Sequence, residues 1–84
     1  MGNSMFTIYS KEGCSYCEQI KELMTLTNQR FVVYTLGQQF NIKQFEEEFG
    51  TNTFPQVVHD INNERVKVGG TAETARYFKE IALV

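Results

Sequence analysis

The sequence predicts a small α/β domain with four strands and three helices in the order β-α-β-α-β-β-α. Short β-prone apolar runs alternate along the chain with stretches whose apolar residues recur at the spacing of an amphipathic helix. A C-x-x-C motif, Cys14-Ser15-Tyr16-Cys17, lies between the first of these runs and the first helical stretch. Because a chain of 84 residues has room for a single core, we expect one four-stranded mixed sheet flanked by the three helices.

The first half of the chain predicts a β-α-β unit. Phe6–Tyr9 is a short apolar run and marks the first strand. A helix is expected from Cys14 to about Thr27, and its apolar residues at helical spacing are Cys17, Ile20, Leu23 and Met24. The run Phe31–Tyr34 is continuously β-prone, which is typical of a strand buried on both faces. A right-handed crossover through the helix makes these two strands parallel.

The second half predicts a short helix, a hairpin and a closing helix. The short helix ends at Gly50, and its apolar positions are Ile42, Phe45 and Phe49. Strands at 55–59, which begins with a proline, and at 65–68 flank the turn residues 60–63 and form the hairpin. Gly69-Gly70 ends the hairpin, and the last helix carries apolar residues at Ala75, Phe78 and Ile81.

The composition and charge exclude several classes of function. A net charge of −2 offers no basic surface for nucleic acid or for an anionic membrane. No segment approaches the roughly 20 apolar residues of a membrane-spanning helix. The first residues have neither the basic nor the apolar region of a secretory signal, so the sequence predicts a cytoplasmic protein. We interpret residues 1–4 as a leader of the kind an expression tag leaves behind, and residues 5–84 as the domain.

The two cysteines are predicted to be reactive rather than to form a structural disulfide. They would close a loop too short to stabilise the fold much, and a secreted disulfide scaffold needs more bridges. Free N–H groups and the helix dipole favour an anion at a helix N-terminus, which lowers the pKa of the first thiol, and Lys11 adds positive charge nearby. We assign Cys14 as the nucleophile and Cys17 as the resolving cysteine, with a merely packed role as the alternative for each.

Three separated motifs resemble the glutaredoxins. They are Cys14-Ser15-Tyr16-Cys17, Thr53-Phe54-Pro55, and Gly69-Gly70 before the last helix. The resemblance covers nearly the whole chain from residue 5 and includes the order of elements. It implies a thioredoxin-like fold, similar to that of the compact glutaredoxins of bacteria and their phages.

The chain departs from the usual glutaredoxin pattern at a few positions. Ser15 stands where many members carry proline, and Phe54 replaces the usual small β-branched residue before Pro55. Ala72 and Glu73 follow the double glycine where Ser, Thr or Asp is frequent. These departures leave the implied reaction intact and concern the binding of the substrate.

The resemblance also implies a substrate site around the cysteines. Pro55 is expected to follow a cis peptide bond, which leaves the backbone of Phe54 free to pair with an extended ligand; an ordinary edge-strand proline is the alternative. The start of the last helix is expected to hold the γ-glutamyl end of glutathione, and Lys11, helped by Lys43 or Gln44, its glycine carboxylate. The predicted substrate-binding residues are Lys11, Tyr16, Thr53, Phe54, Pro55, Gly70, Thr71, Ala72 and Glu73.

Two features have simpler structural explanations. Gly69-Gly70 also fits a plain strand-to-helix turn in which Thr71 is the N-cap. His59, the only histidine, is assigned to the structure or the surface rather than to catalysis.

The resemblance implies a dithiol glutaredoxin that reduces protein disulfides and glutathione mixed disulfides with glutathione as electron donor. Ribonucleotide reductase is a client implied by the same resemblance, and a monomer is expected. One alternative is a thioredoxin-like reductant recharged by a flavoprotein reductase, although no Trp precedes the motif. Another is a [2Fe–2S] carrier dimer that uses Cys14 and glutathione from each partner, which Ser15 allows. A mononuclear zinc site is weaker, since two cysteines and a distant His59 fall short of four ligands.

Overall fold

The computed structural model describes residues 4–81 and contains the predicted elements in the predicted order. The strands are β1 (Ser4–Ser10), β2 (Phe31–Thr35), β3 (Gln56–Ile61) and β4 (Glu64–Gly69). The helices are α1 (Ser15–Leu26), α2 (Ile42–Phe49) and α3 (Thr71–Glu80). No helix within the described range is long and apolar enough to cross a membrane.

The ends of the predicted domain fall partly outside this range. Residues 1–3 of the predicted leader and residues 82–84 of the predicted domain lie outside the described residues. Ser4, the last residue of that leader, is the first residue of β1 and pairs with Ile61 of β3.

The four strands form one mixed sheet in the order β2-β1-β3-β4. β1 and β2 are parallel, as the predicted crossover requires, whereas β3 is antiparallel to both β1 and β4. The hairpin turn is shorter than predicted, because Asp60 and Ile61 remain in β3. Asn62 and Asn63 alone make the turn, with φ of 52° and 67°, and Asn favours the positive φ that a two-residue hairpin loop needs.

Helices cover both faces of this sheet. Because successive side chains of a strand point to opposite faces, neighbouring residues of β1 and β3 enter different cores. The larger core joins the sheet to α1 and α3 and consists of Phe6, Ile8, Ile20, Met24, Val57 and Phe78. The second core lies under α2 and consists of Tyr9, Phe45 and Val58, with Phe40, Phe49 and Phe54 packed against it.

Strand β2 is not buried on both faces, so that prediction is wrong. It is an edge strand of the sheet, and Val32 and Tyr34 are each 37% exposed. Phe31 and Val33 pack against the larger core, whereas the short helix α2 leaves part of the opposite face open. A continuous apolar run therefore reflects one buried face and one half-covered face here.

Residue choice at the ends of α2 sets its boundaries. The Asn41 side chain accepts from the Gln44 backbone N–H at 2.8 Å, and the Gln44 side chain accepts from the Asn41 N–H at 3.1 Å. This capping box satisfies two N–H groups at the start of the helix. Gly50 ends α2 in the left-handed conformation with φ of 69°, as predicted.

Strand β4 fastens α2 to the sheet. Arg65 donates to the Tyr9 hydroxyl at 3.3 Å and forms an ion pair with Glu48. The hydrogen bond to Tyr9 is the main cause that raises the pKa of Arg65, and Glu48 acts in the same direction. Lys67 donates to the Glu48 carbonyl at 2.6 Å and lies 5.5 Å from the centre of the Phe49 ring.

His59 is a buried structural residue in the middle of β3, and the surface alternative is wrong. Its Nε2 is 2.6 Å from the Ser4 hydroxyl and its Nδ1 is 2.7 Å from the Tyr77 hydroxyl. Its ring stacks on Phe6 at 4.0 Å between centroids. Burial lowers the pKa of His59, and Asp60 opposes this effect. His59 therefore links β1 to α3 across the larger core.

Candidate active site

One end of the sheet brings the three predicted motifs together. β1 and β3 are antiparallel and Tyr9 pairs with Gln56, so the loop after β1 and the segment before β3 lie side by side. Gly69 at the end of β4 pairs with Val57 at the start of β3. The C-x-x-C motif, Phe54-Pro55 and Gly69-Gly70 therefore meet at this end.

Cys14 is the N-cap residue of α1. Its backbone is extended, with φ of −102° and ψ of 104°, and its sulfur accepts a hydrogen bond from the Cys17 N–H at 3.1 Å. An N–H donor at this position favours a thiolate over a thiol, and the helix dipole acts in the same direction. The predicted anion-stabilising position of Cys14 thus has a specific donor.

Cys14 and Cys17 form a disulfide, with 5.2 Å between their Cα atoms. Cys14 is partly exposed, whereas Cys17 is fully buried on the core side of α1. An incoming sulfur can therefore approach only the outer cysteine of the pair. Tyr16 between them is 59% exposed, and the predicted exposure of this residue is confirmed.

Pro55 lies at the centre of this end of the sheet. The Phe54–Pro55 peptide bond is cis, as predicted, and Pro55 is buried. The strand itself begins one residue later than predicted, at Gln56. The Gln56 side-chain amide donates to the carbonyl and the hydroxyl of Thr53, both at 3.2 Å, and so holds the segment before Pro55 in place.

Gly70 brings the start of α3 against Pro55. It is the N-cap residue of α3, and a Cβ on it would lie 3.4 Å from the Pro55 carbonyl oxygen. The alternative with Thr71 as N-cap is wrong, because Thr71 is the first residue of the helix. The first backbone N–H groups of α3, including those of Thr71 and Ala72, therefore face this end without an intrahelical acceptor.

Comparisons with known proteins agree with this geometry. The family model for glutaredoxins matches residues 6–66. The chain belongs to the glutaredoxin family. Among curated proteins, the rat mitochondrial glutaredoxin-2 is 31% identical over 80 residues, which are 95% of this chain and 51% of the relative. The chain thus spans about half the length of that relative.

Solved glutaredoxin structures share the fold. Glutaredoxin 1 from Francisella tularensis has a TM-score of 0.72 and 24% identity, covering 94% of this chain and 96% of that one. A wheat glutaredoxin has a TM-score of 0.71 and 27% identity, covering 93% and 78% respectively. The predicted thioredoxin-like fold is confirmed.

Glu73 is a departure from the glutaredoxin pattern with a local structural role. Its carboxylate accepts from the Gly70 N–H at 3.0 Å, which is one half of a capping box; Gly70 has no side chain to supply the other half. We predicted Glu73 as a substrate-binding residue; its side chain is engaged with the N-cap backbone and places a negative charge beside the helix start. The spacing Gly70-x-x-Glu73 is the sequence signal of such a cap.

The two α2 residues expected to assist Lys11 lie at the start of that helix. The Gln44 side-chain oxygen accepts from the Asn41 N–H in the capping box, and the Gln44 amide NH2 group, which is the donor a carboxylate needs, is not part of that box. Lys43 is exposed at the start of α2. Lys11 is exposed in the loop after β1, and its ammonium lies 5.4 Å from the centre of the Phe54 ring.

The interior of the site contains two features that the sequence analysis did not single out. The Thr71 and Thr74 hydroxyls are buried in the first turns of α3 without a hydrogen-bond partner. The Phe54 ring stacks on Phe45 at 4.4 Å, so this unusual residue belongs to the core under α2. Within residues 4–81, no group of three or more His, Cys, Asp or Glu side chains is arranged to hold a metal ion.

Proposed function

We propose that this protein is a dithiol glutaredoxin that reduces protein disulfides and glutathione mixed disulfides with glutathione as the electron donor. The observation that carries the proposal is the pair of Cys14, at the N-cap of α1 and partly exposed, and Cys17, buried one turn further on. The cis-Pro55 segment and the start of α3 flank the pair and leave backbone groups for a peptide-like ligand.

The reaction begins at the exposed cysteine. The Cys14 thiolate attacks one sulfur of the substrate disulfide, forms a new S–S bond and expels the other sulfur as a thiolate, which takes a proton from water. The Cys17 thiolate then attacks the Cys14 sulfur, which releases the remaining substrate thiol and leaves the Cys14–Cys17 disulfide.

Two molecules of glutathione return the protein to the dithiol state. The first attacks Cys14, frees the Cys17 thiol and forms a glutathione mixed disulfide on Cys14. The second attacks the glutathione sulfur of that mixed disulfide and leaves as oxidised glutathione, while Cys14 regains its thiolate. When the substrate is itself a glutathione mixed disulfide, Cys14 accepts the glutathionyl group directly, and Cys17 is not required.

The site offers donors at both ends of a glutathione molecule. The N–H groups of Thr71 and Ala72 suit the γ-glutamyl carboxylate, since a helix N-terminus favours an anion. The Lys11 ammonium suits the glycine carboxylate, and the backbone of Phe54 before the cis bond suits strand-like pairing with the cysteinyl part. Tyr16 and Thr53 border the same ligand.

The test is a coupled assay with a small glutathione mixed disulfide, NADPH, glutathione and glutathione reductase. We expect activity for the wild type and for Cys17→Ser, and none above background for Cys14→Ser. A protein disulfide substrate should require both cysteines. An inactive wild type would refute glutathione-dependent turnover, and recovery of activity with a thioredoxin reductase in place of glutathione would establish the flavoprotein-linked alternative.

The remaining expectations belong to the same proposal. Ribonucleotide reductase is the protein client we expect, the molecule acts as a monomer, and a reducing cytoplasm suits a chain that cycles between dithiol and disulfide. A [2Fe–2S] cluster needs a free Cys14 thiolate from each of two chains, because one chain offers only two cysteines. Charge-transfer absorbance in a dimer after anaerobic reconstitution, lost in Cys14→Ser and kept in Cys17→Ser, would establish that alternative.

A further inference from the structure

The Phe54 side chain lies between the core under α2 and Lys11, the only lysine of the loop before Cys14. Its ring stacks on Phe45 with 4.4 Å between centroids and 11° between planes, and the Lys11 ammonium lies 5.4 Å from its centre. Phe40 stacks on the same ring at 6.2 Å. The Phe54 ring is therefore fixed by its neighbours, and an exposed lysine rests on it.

The backbone explains why these two residues meet. Lys11 follows the last residue of β1, and Phe54 comes just before β3. Because Tyr9 pairs with Gln56 in the antiparallel ladder, the chain segments that continue from these two residues remain adjacent beyond the sheet. Cys14 is three residues after Lys11, in the same loop.

We propose that Phe54 is a positioning residue for the reaction: its ring holds the Lys11 ammonium beside the Cys14 loop, where the charge stabilises the Cys14 thiolate. A lysine on a flexible stem otherwise spreads its charge over many rotamers. An aromatic face within about 6 Å favours those rotamers that bring the cation over the ring. A β-branched residue at position 54 has no such face, so the positioning of the Lys11 ammonium depends on the phenylalanine.

The expected effect follows from the strength of such contacts. A cation–π interaction at an exposed site corresponds to a factor of about two to five in population. Loss of the ring should therefore lower the thiolate fraction of Cys14 by a factor of at most about two to five at pH values where the thiol form dominates. At high pH, where the thiol is fully ionised, the variant and the parent should react equally fast.

The test measures the alkylation rate of Cys14 by iodoacetamide as a function of pH. The parent is the reduced Cys17→Ser protein, so that Cys14 is the one cysteine present. Phe54→Leu keeps an apolar side chain of similar size and removes the aromatic face. Phe49→Leu is the matched control, because Phe49 belongs to the same core and carries its own lysine, Lys67, at 5.5 Å.

We expect Phe54→Leu to move the alkylation profile to higher pH with an unchanged plateau, and Phe49→Leu to leave the profile unchanged. Lys11→Gln should move the profile in the same direction, and Phe54→Leu should add nothing in the Lys11→Gln background. An equal effect of Phe54→Leu with and without Lys11, no effect at all, or an equal effect of Phe49→Leu would overturn the proposal.

The positioning role rests on the proposed function only in taking Cys14 as the nucleophile. Alkylation needs no glutathione, so failure of glutathione-dependent turnover and failure of the Phe54 effect are separate results. As a second readout, the kcat/KM of the Phe54→Leu protein for a glutathione mixed disulfide should fall by about the same factor at low pH and recover at high pH. A loss that does not depend on pH would instead indicate damage to the fold.

Discussion

Replacing Gly69 with alanine tests how the end of β4 and the start of α3 are built. Gly69 has φ of 117°, a conformation that residues with a Cβ rarely adopt. An added Cβ would lie 2.8 Å from the Glu73 Cβ and 3.0 Å from its Cγ. Because the Glu73 Cβ is attached directly to the helix backbone, it cannot move aside without displacing the first turn of α3.

The size of the effect combines two costs. A residue with a Cβ in a sparsely populated backbone conformation costs about 1–3 kcal/mol. Displacing Glu73 also breaks its hydrogen bond to the Gly70 N–H, and loss of a helix cap typically costs about 0.5–2 kcal/mol. Gly69→Ala should therefore lower the free energy of unfolding by about 1.5–5 kcal/mol, a large fraction of the roughly 5–15 kcal/mol of a typical domain.

Urea unfolding of three variants separates these costs. Gly37→Ala is the backbone control, because Gly37 has φ of 89° and a Cβ there would meet no atom within 4 Å. Glu73→Ala removes the cap alone. We expect Gly69→Ala to be the most destabilised of the three. If Gly69→Ala is no less stable than Gly37→Ala, the contact with Glu73 does not constrain the turn, and our account of this junction is wrong.

Three further predictions concern the rest of the fold. Phe78→Ala should lower the free energy of unfolding by about 3–5 kcal/mol, because Phe78 is fully buried in the larger core; a loss below about 1 kcal/mol in urea unfolding would contradict its place there. Arg65→Met should lower the free energy of unfolding by roughly 1 kcal/mol or less, because it removes a half-exposed ion pair with Glu48 and one hydrogen bond to Tyr9. In 1 M salt, the difference in stability between the variant and the wild type should become smaller. Because burial lowers the pKa of His59 below its ordinary 6.5, the unfolded chain binds the proton first, so stability should fall as the pH drops below about 6.5. A variant His59→Gln should lack that part of the pH dependence in urea unfolding measured between pH 7.5 and 5.

The order and type of the elements could be predicted from the sequence because their signals are local. Gly50 at the end of α2 and the Asn62-Asn63 turn each act through neighbours a few residues away. The start of α1 at the C-x-x-C motif was local in the same sense. Such signals need no knowledge of the tertiary structure.

The burial of β2 could not be predicted in this way. A run such as Phe31–Tyr34 is apolar on both faces, and its exposure depends on how far α2 extends over the sheet. Helix α2 has 8 residues and covers the part of the sheet near Tyr9, so Val32 and Tyr34 remain 37% exposed. The exposure of β2 therefore depends on the length of a helix elsewhere in the chain, and the sequence of the strand itself does not indicate that length.

For the site residues too, features with local signals could be predicted, whereas contacts between distant parts of the chain could not. The cis bond before Pro55 and the position of Cys14 at the N-terminus of α1 follow from motifs and are confirmed. The contact between Lys11 and Phe54 joins residues far apart in the chain and depends on the β1–β3 register. The hydrogen bond from the Asn41 N–H to the Gln44 side-chain oxygen, in contrast, joins residues three positions apart.

This chain departs from the family pattern in side chains near the cysteines and not in the backbone conformation there. The backbone features are retained: the Cys17 N–H donates to Cys14, the peptide bond before Pro55 is cis, and α3 starts at Gly70. The side chains of Phe54 and Glu73 both contact other parts of the protein. Phe54 packs in the core under α2, and Glu73 accepts a hydrogen bond from the backbone at the start of α3. Substitutions there can change the charge that a ligand meets without altering the backbone that aligns its disulfide. We therefore expect such substitutions to affect KM and the pH profile first, and loss of the Cys14 sulfur to abolish the proposed reaction.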